Sequence, residues 1–223
     1  MINFNQVTTE SFGPLSMEVE AGALVKVVAG TRETAAAFVR TLAGLASPLS
    51  GQTLLFGEDL YSITEEEYIR LMARVGVAQG AGGMISNLSA AENVALPAMY
   101  HGRMTLAQLE TFTAEAMAAL GISLEEGEKM MQGSTLSLKP WQGKILRMIR
   151  AYSTDPDLVI LEDITSGMTQ EMQDNALQWA LRLHRERHGR ATMFVCHDES
   201  ALKSFPARAI HLAAEAPPEK EED

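Results

Sequence analysis

Three short apolar runs constrain the fold of this chain more than any other feature: Leu24-Val25-Lys26-Val27-Val28-Ala29, Leu158-Val159-Ile160-Leu161 and the stretch 191–196, which carries Met193-Phe194-Val195-Cys196. Each is close to continuous rather than alternating, so each has to be buried on both faces, as strands of a parallel sheet are. Stretches with helical character separate them. Ala35 to Leu45 is alanine-rich and follows the first run after a loop, Gly30-Thr31-Arg32-Glu33. A long helix from about Thr169 places Met172, Ala176, Trp179 and Leu183 on one face, and Ala209-Ile210-His211-Leu212 reads as a last strand. Strands alternating with helices predict an α/β fold built on a parallel sheet.

Two regions depart from that alternation. The first residues alternate weakly and predict antiparallel strands, with a turn at Gly22. Thr53-Leu54-Leu55-Phe56 is a further strand ended by Gly57, and Arg74-Val75-Gly76-Val77-Ala78 is another, running into Gln79 and the flexible Gly80-Ala81-Gly82-Gly83. The middle of the chain is helical. Thr105 with Gln108 three residues on is a capping-box start, Leu106, Leu109, Phe112, Met117 and Leu120 recur at helical spacing, and Gly121 supplies the stop. A further helix follows Trp141 through Ile145, Met148 and Ile149. The expected organisation is a core of residues 1–83 and 151–215, a helical subdomain of 84–150, and an acidic, disordered tail of 216–223.

At 223 residues the chain can bury one sizeable core. Its net charge of −11 argues against nucleic acid or an anionic membrane surface as a direct partner. A single cysteine, Cys196, excludes an intramolecular disulfide and fits a reducing, cytoplasmic setting; its apolar surroundings predict a buried strand thiol. No apolar stretch reaches membrane-spanning length and no signal pattern opens the sequence, so a role at a membrane is expected to run through a partner, without direct insertion. His184 and His188 are spaced for a metal pair, but Arg182, Arg185 and Arg187 beside them favour a solvated basic face.

The order of landmarks resembles the ATPases of ATP-binding-cassette (ABC) transporters over nearly the whole chain. Ala43-Gly44-Leu45, Pro48-Leu49-Ser50-Gly51 and Gly57-Glu58-Asp59-Leu60 are similar to the family's segment after its phosphate loop. Gln79 stands where the family has its Q-loop glutamine, and Asn87-Leu88-Ser89 through Glu92-Asn93-Val94-Ala95-Leu96-Pro97 resembles the opening of its helical subdomain. Arg150-Ala151, Asp155-Pro156, residues 158–163 and Thr165-Ser166-Gly167 resemble the approach to the Walker B strand and the turn after it; Val195-Cys196-His197-Asp198 resembles the switch-histidine loop. The resemblance implies a P-loop NTPase-like core with an antiparallel N-terminal sheet and an inserted helical subdomain.

The residues that grip ATP in that family have changed. A phosphate loop needs glycine, four residues, then Gly-Lys-Ser/Thr, because backbone N–H groups cradle the phosphates, the lysine neutralises them and the hydroxyl holds Mg²⁺. Counted from Ala29, the last three positions are Thr34, Ala35 and Ala36; counted from Gly30, they are Ala35, Ala36 and Ala37. Neither register has a lysine. A nucleotide here would have to use Gly30, Thr31, Arg32, Thr34, Ala35 and Ala36, with Arg32 as the cation. Glu33, at the helix N-terminus, is expected to act as an internal substitute for phosphate.

The family's signature, Leu-Ser-Gly-Gly-Gln, has as its best counterpart Leu138-Lys139-Pro140-Trp141-Gln142, in which Pro140 has no N–H and Trp141 is too large for close approach to phosphate. An earlier register from Leu136-Ser137 keeps the serine but needs an insertion before Arg150. Lys139 and Gln142 are the residues left that could meet a nucleotide across a dimer. Walker B reads Glu162-Asp163 in place of Asp-Glu, and Met168-Thr169 replaces the family's Leu-Asp. By the resemblance, Asp163 and His197 are the catalytic candidates, and Gln79 and Glu162 would hold Mg²⁺ only if nucleotide binds.

A non-hydrolysing structural or regulatory partner of a membrane permease is therefore expected, at the inner face of the plasma membrane, with the permease's coupling helix near Gln79 and residues 80–100. It would act as a homodimer or beside an intact ATPase, with no cofactor of its own. Asn93-Val94-Ala95-Leu96-Pro97 leans toward the lipid or lipoprotein exporter branches. The alternatives are a residually active ATPase that binds ATP and Mg²⁺, and a soluble scaffold tied to no transporter.

Overall fold

A computed structural model of the protein describes residues 1–80, 82–198 and 207–212; the acidic tail expected at 216–223 lies outside them. Two sheets share the core. β1 (Ile2–Thr8), β2 (Leu15–Val19), β4 (Ser50–Leu55) and β5 (Glu58–Asp59) form an antiparallel sheet in the order β2-β1-β4-β5. β3 (Leu24–Val28), β6 (Val75–Ala78), β7 (Leu158–Glu162), β8 (Ala191–Cys196) and β9 (Arg208–His211) form a parallel sheet in the order β6-β7-β8-β3-β9.

The apolar runs are the inner strands of the parallel sheet, and successive side chains go to opposite faces. Val159 and Leu161 of β7, with Phe194 and Cys196 of β8, join the core under the helices. Leu158 and Ile160, with Met193 and Val195, join the core shared with α1 (Arg32–Leu42) and the antiparallel sheet. Phe38 of α1 ties these layers: it is fully buried, with its ring centroid 5.6 Å from that of Phe4 and 5.9 Å from that of Phe12. Cys196 is buried, as the sequence predicts.

The helices beyond the sheet are α2 (Glu65–Met72), α3 (Ala90–Tyr100), α4 (Leu106–Ala119), α5 (Leu124–Gln132), α6 (Pro140–Tyr152) and α7 (Gln170–Glu186). Each of α2, α3 and α4 begins with a reciprocal capping box, Thr64 with Glu67, Ser89 with Glu92 and Thr105 with Gln108. The Thr105 and Gln108 pair is the one of these predicted from the sequence, and α2 and α5 are additional to the elements expected there. α6 lies directly on β6, and a Cβ added at Gly76 would sit 2.0 Å from the Ala151 carbonyl oxygen. The approach is possible because position 76 has no side chain.

Charge is organised at the amino ends of the strands. Arg190, its side chain 3% exposed, donates to the carbonyls of Pro156 (2.9 Å) and Leu183 (2.7 Å) and to Asp155. Arg187 pairs with Asp155 and Asp157, and Arg74 with Asp157 at 2.7 Å. The proposed spacing of His184 and His188 is broken, because α7 ends at Glu186 and His188 follows it in a turn. His184 Nδ1 instead lies 3.0 Å from the Thr192 hydroxyl.

Two stability tests follow from this packing. Phe38→Ala is expected to cost about 3–5 kcal/mol, measured by denaturant unfolding, because it empties the contact between α1 and the antiparallel sheet. Burial, assisted by Arg190 and Arg185, holds the His184 imidazole below the ordinary histidine range. The unfolded chain therefore takes up that proton at higher pH than the folded one, and this contribution to stability falls as the pH drops below about 6.5. His184→Gln is expected to reduce the decline of Tm between about pH 7.5 and pH 5.5, leaving the contribution of His101, which is lowered by burial and Arg103 in the same sense.

Candidate functional site

In an open parallel sheet, ligands bind outside the carboxyl ends of the strands. Here that edge gathers the turn after β3 (Ala29-Gly30-Thr31), Gln79 and the glycines after β6, Glu162-Asp163 at the end of β7, and His197 after β8. Most residues predicted for the site therefore do lie along one edge.

The turn after β3 differs from the sequence reading. Arg32 and Glu33, expected as loop, lie with Thr34 in the first turn of α1, which ends at Leu42 rather than Leu45. Gly30 reverses the chain at φ +74°, and Thr31 caps the helix: its hydroxyl accepts from Thr34 N–H at 3.0 Å, and its carbonyl from Ala35 N–H at 3.1 Å. Thr34 is buried and its hydroxyl donates to the Ser11 carbonyl at 3.3 Å; Ala35 is buried and Ala36 half-buried. Arg32 is exposed. So is Glu33, which takes no part in the cap, so the internal phosphate substitute expected of it is not formed; the Thr31 hydroxyl does that work because its shorter arm reaches the Thr34 N–H from the N-cap position.

At the end of β7 the two carboxylates face different surroundings. Glu162 is buried, which raises its carboxyl above the usual range, against the opposing effect of a hydrogen bond from Gly80 N–H. Asp163 is a non-glycine residue in left-handed backbone, φ +46°, anchored by its N–H to the Val195 carbonyl at 2.9 Å. Its Oδ2 accepts from the Ser166 hydroxyl at 2.7 Å and from Lys144 Nζ at 3.3 Å. Its Oδ1 lies 3.9 Å from Nδ1 of His197, so the structure brings the two catalytic candidates together, beyond hydrogen-bond length.

Lys144, on α6, entered no sequence-based assignment. Its side chain is 7% exposed, and the ammonium donates to the Asp163 carbonyl, to the Asp163 carboxylate and to the Ser166 hydroxyl. Burial lowers its basicity and the Asp163 carboxylate opposes that. One turn on, Arg147 donates to the carbonyls of Gly80 at 3.1 Å and Gly82 at 3.3 Å; Arg150 donates to that of Gly83. The signal that could have found them is three basic residues spaced three apart among buried Ile145, Leu146, Met148 and Ile149.

Gln79 is half-buried, with its side-chain oxygen beside Gly83. Lys139 is exposed ahead of Pro140, which opens α6. Gln142 is not free for a ligand: its carbonyl accepts from Lys139 N–H at 2.9 Å and its amide reaches Glu126 at 3.3 Å. Arg147→Met is expected to leave the Gly80 and Gly82 carbonyls without these donors. Amide exchange at Gly80 should rise roughly tenfold, equivalent to about 1.4 kcal/mol of local opening, while Ile160 in β7 keeps its protection.

No family model matches the chain. In sequence it is 26% identical over 200 residues to the "Methionine import ATP-binding protein MetN" of Caulobacter vibrioides, covering 90% of this chain and 58% of that protein. The protein of that name from Corynebacterium efficiens is 24% identical over 212 residues, 95% of this chain and 57% of that one. The chain thus spans just over half the length of these curated relatives. Among solved structures, the dimeric bacterial ABC transporter cassette MJ0796 superposes with a TM-score of 0.82 at 18% identity, over 95% of this chain and 94% of that one. cbiO1 from Clostridium perfringens, part of the ABC transporter complex cbiONQ, gives 0.72 at 14% identity, over 96% and 86%. The chain has the ABC ATPase fold, and its sequence relatives are ABC ATP-binding proteins.

Proposed function

We propose that this chain is the cassette-type subunit of a membrane transporter and that it keeps the cassette's shape and docking surface without hydrolysing ATP. The observation that carries the reading is the turn after β3. The N–H groups of Thr34 and Ala35, at the Gly-Lys positions counted from Ala29, are bonded within the chain to Thr31. No lysine stands at either register of the loop. At the opposite wall, the Asp163 carboxylate already has Ser166 and Lys144 as partners. Gln142 is spent on capping α6, and Pro140 and Trp141 stand where a phosphate-binding signature needs glycines. The residues present do not fit a Mg-nucleotide.

Transport as the context rests on the sequence relatives, which are named for methionine import. Import accordingly replaces the exporter leaning read from Asn93–Pro97. A permease partner is supported by apolar side chains left exposed within residues 80–100: Ile85 ahead of α3, and Leu96, Met99 and Tyr100 on it. Arg147 and Arg150 brace the glycines that follow Gln79. Among the described residues no helix is long and apolar enough to cross a membrane, so attachment would be through the partner.

One observation favours the second reading, residual ATPase activity: Glu162, Asp163 and His197 stand together at the strand ends. Titration with millimolar Mg-ATP, followed by calorimetry and phosphate release, separates the two. No saturable heat is expected, and phosphate release should lie on the order of a hundredfold or more below that of an intact cassette run in parallel. Saturable binding that Asp163→Asn abolishes would establish the enzyme reading instead. Co-purification with a polytopic membrane protein tests the docking, and its failure favours a soluble scaffold.

A further inference from the structure

The Lys144 ammonium has three N–H donors, and its three acceptors are a backbone carbonyl, a carboxylate and a hydroxyl: Asp163 O, Asp163 Oδ2 and Ser166 Oγ. Those are the oxygen types that hard divalent cations take from proteins. The geometry points to Lys144 as a built-in cation that fills a latent divalent-cation position at the end of β7, so that the Asp163 carboxylate is neutralised from within and needs no metal.

Several features beyond the contacts themselves support this. Lys144 is almost wholly buried, so a mobile surface amine meeting a carboxylate by chance is not the case here. Asp163 adopts left-handed backbone, which an aspartate tolerates better than most residues and which its surroundings hold in place here. The Ser166 hydroxyl accepts from Lys144 and passes its own proton donation to Asp163, closing the ring of polar groups. A metal ion at the same oxygens would have to displace the ammonium, and the two charges could not share one pocket. Lys144 also belongs to α6, whereas Asp163 and Ser166 follow β7, so the same contact ties α6 to the end of that strand.

This inference deepens the non-hydrolysing reading and rests on it, but it can be tested with no nucleotide present. Mn²⁺ alone, titrated against the full chain and followed by electron paramagnetic resonance, is the probe. Wild type is expected to show no Mn²⁺ binding that depends on Asp163. Lys144→Met, verified as folded by circular dichroism, should gain one Mn²⁺ site at least tenfold tighter than anything in wild type, and Lys144→Met with Asp163→Asn should lose it. A folded Lys144→Met that gains no site overturns the inference. So does Mn²⁺ binding by wild type that Asp163→Asn removes. If Lys144→Met does not fold, Lys144→Gln, which keeps a donor for the Asp163 carbonyl, carries the same comparison. If neither folds, the wild-type and Asp163→Asn titrations decide alone. Phosphate release by wild type in the Mg-ATP experiment would remove the functional reading and leave the Mn²⁺ result to stand separately.

Discussion

The parallel sheet can exist only if both of its faces are covered, and the rest of the molecule is arranged around that need. β7 has every residue buried, so its neighbours must supply apolar surface on each side. α1 and the antiparallel sheet cover one face, with the Phe38 ring packed at steep angles against those of Phe4 and Phe12. α6, α7 and the helices of the insert cover the other, and Gly76 lets α6 come down onto the sheet's edge strand. With the faces committed, the two ends of the sheet are what remain for polar chemistry.

Those ends are used differently. At the amino ends, Arg190 and Arg187 bind the turns before β7 and β8 through Asp155 and Asp157, an arrangement anchored on the buried Arg190 with Asp155 and Arg187 open to solvent. At the carboxyl ends, where this kind of fold presents its ligand site, basic side chains of α6 reach in from the helical layer. Lys144 meets Asp163, and Arg147 and Arg150 hold the glycines after Gln79. In the proposed reading, cations of the chain's own helix occupy ground that a nucleotide and its metal would need, and the first turn of α1 has closed the loop that would cradle phosphate.

Much of this was legible from local pattern. The continuous apolar runs gave the inner strands because a strand buried on both faces cannot afford polar alternation. Thr105 with Gln108 marked a helix start because the capping box is a contact between residues three apart. Thr64 with Glu67 and Ser89 with Glu92 carry the same signal at the same spacing. The grouping of Asp163 with His197 followed from motif order and is seen in the structure at 3.9 Å. The role given to Glu33 failed because two groups competed for one helix terminus, and the Thr31 hydroxyl has the shorter reach to Thr34 N–H.

By itself the sequence determined the strand and helix alternation, the burial of Cys196 and the lack of a lysine between Ala29 and Ala37, since each depends on residue type and near neighbours alone. Only the tertiary structure decided what the basic residues of α6 do. Lys144 lies 19 positions from Asp163, and Arg147 lies 67 from Gly80, so no local period links them. Their meeting depends on how closely α6 settles on β6, and that distance is set by packing against a glycine far away in the chain.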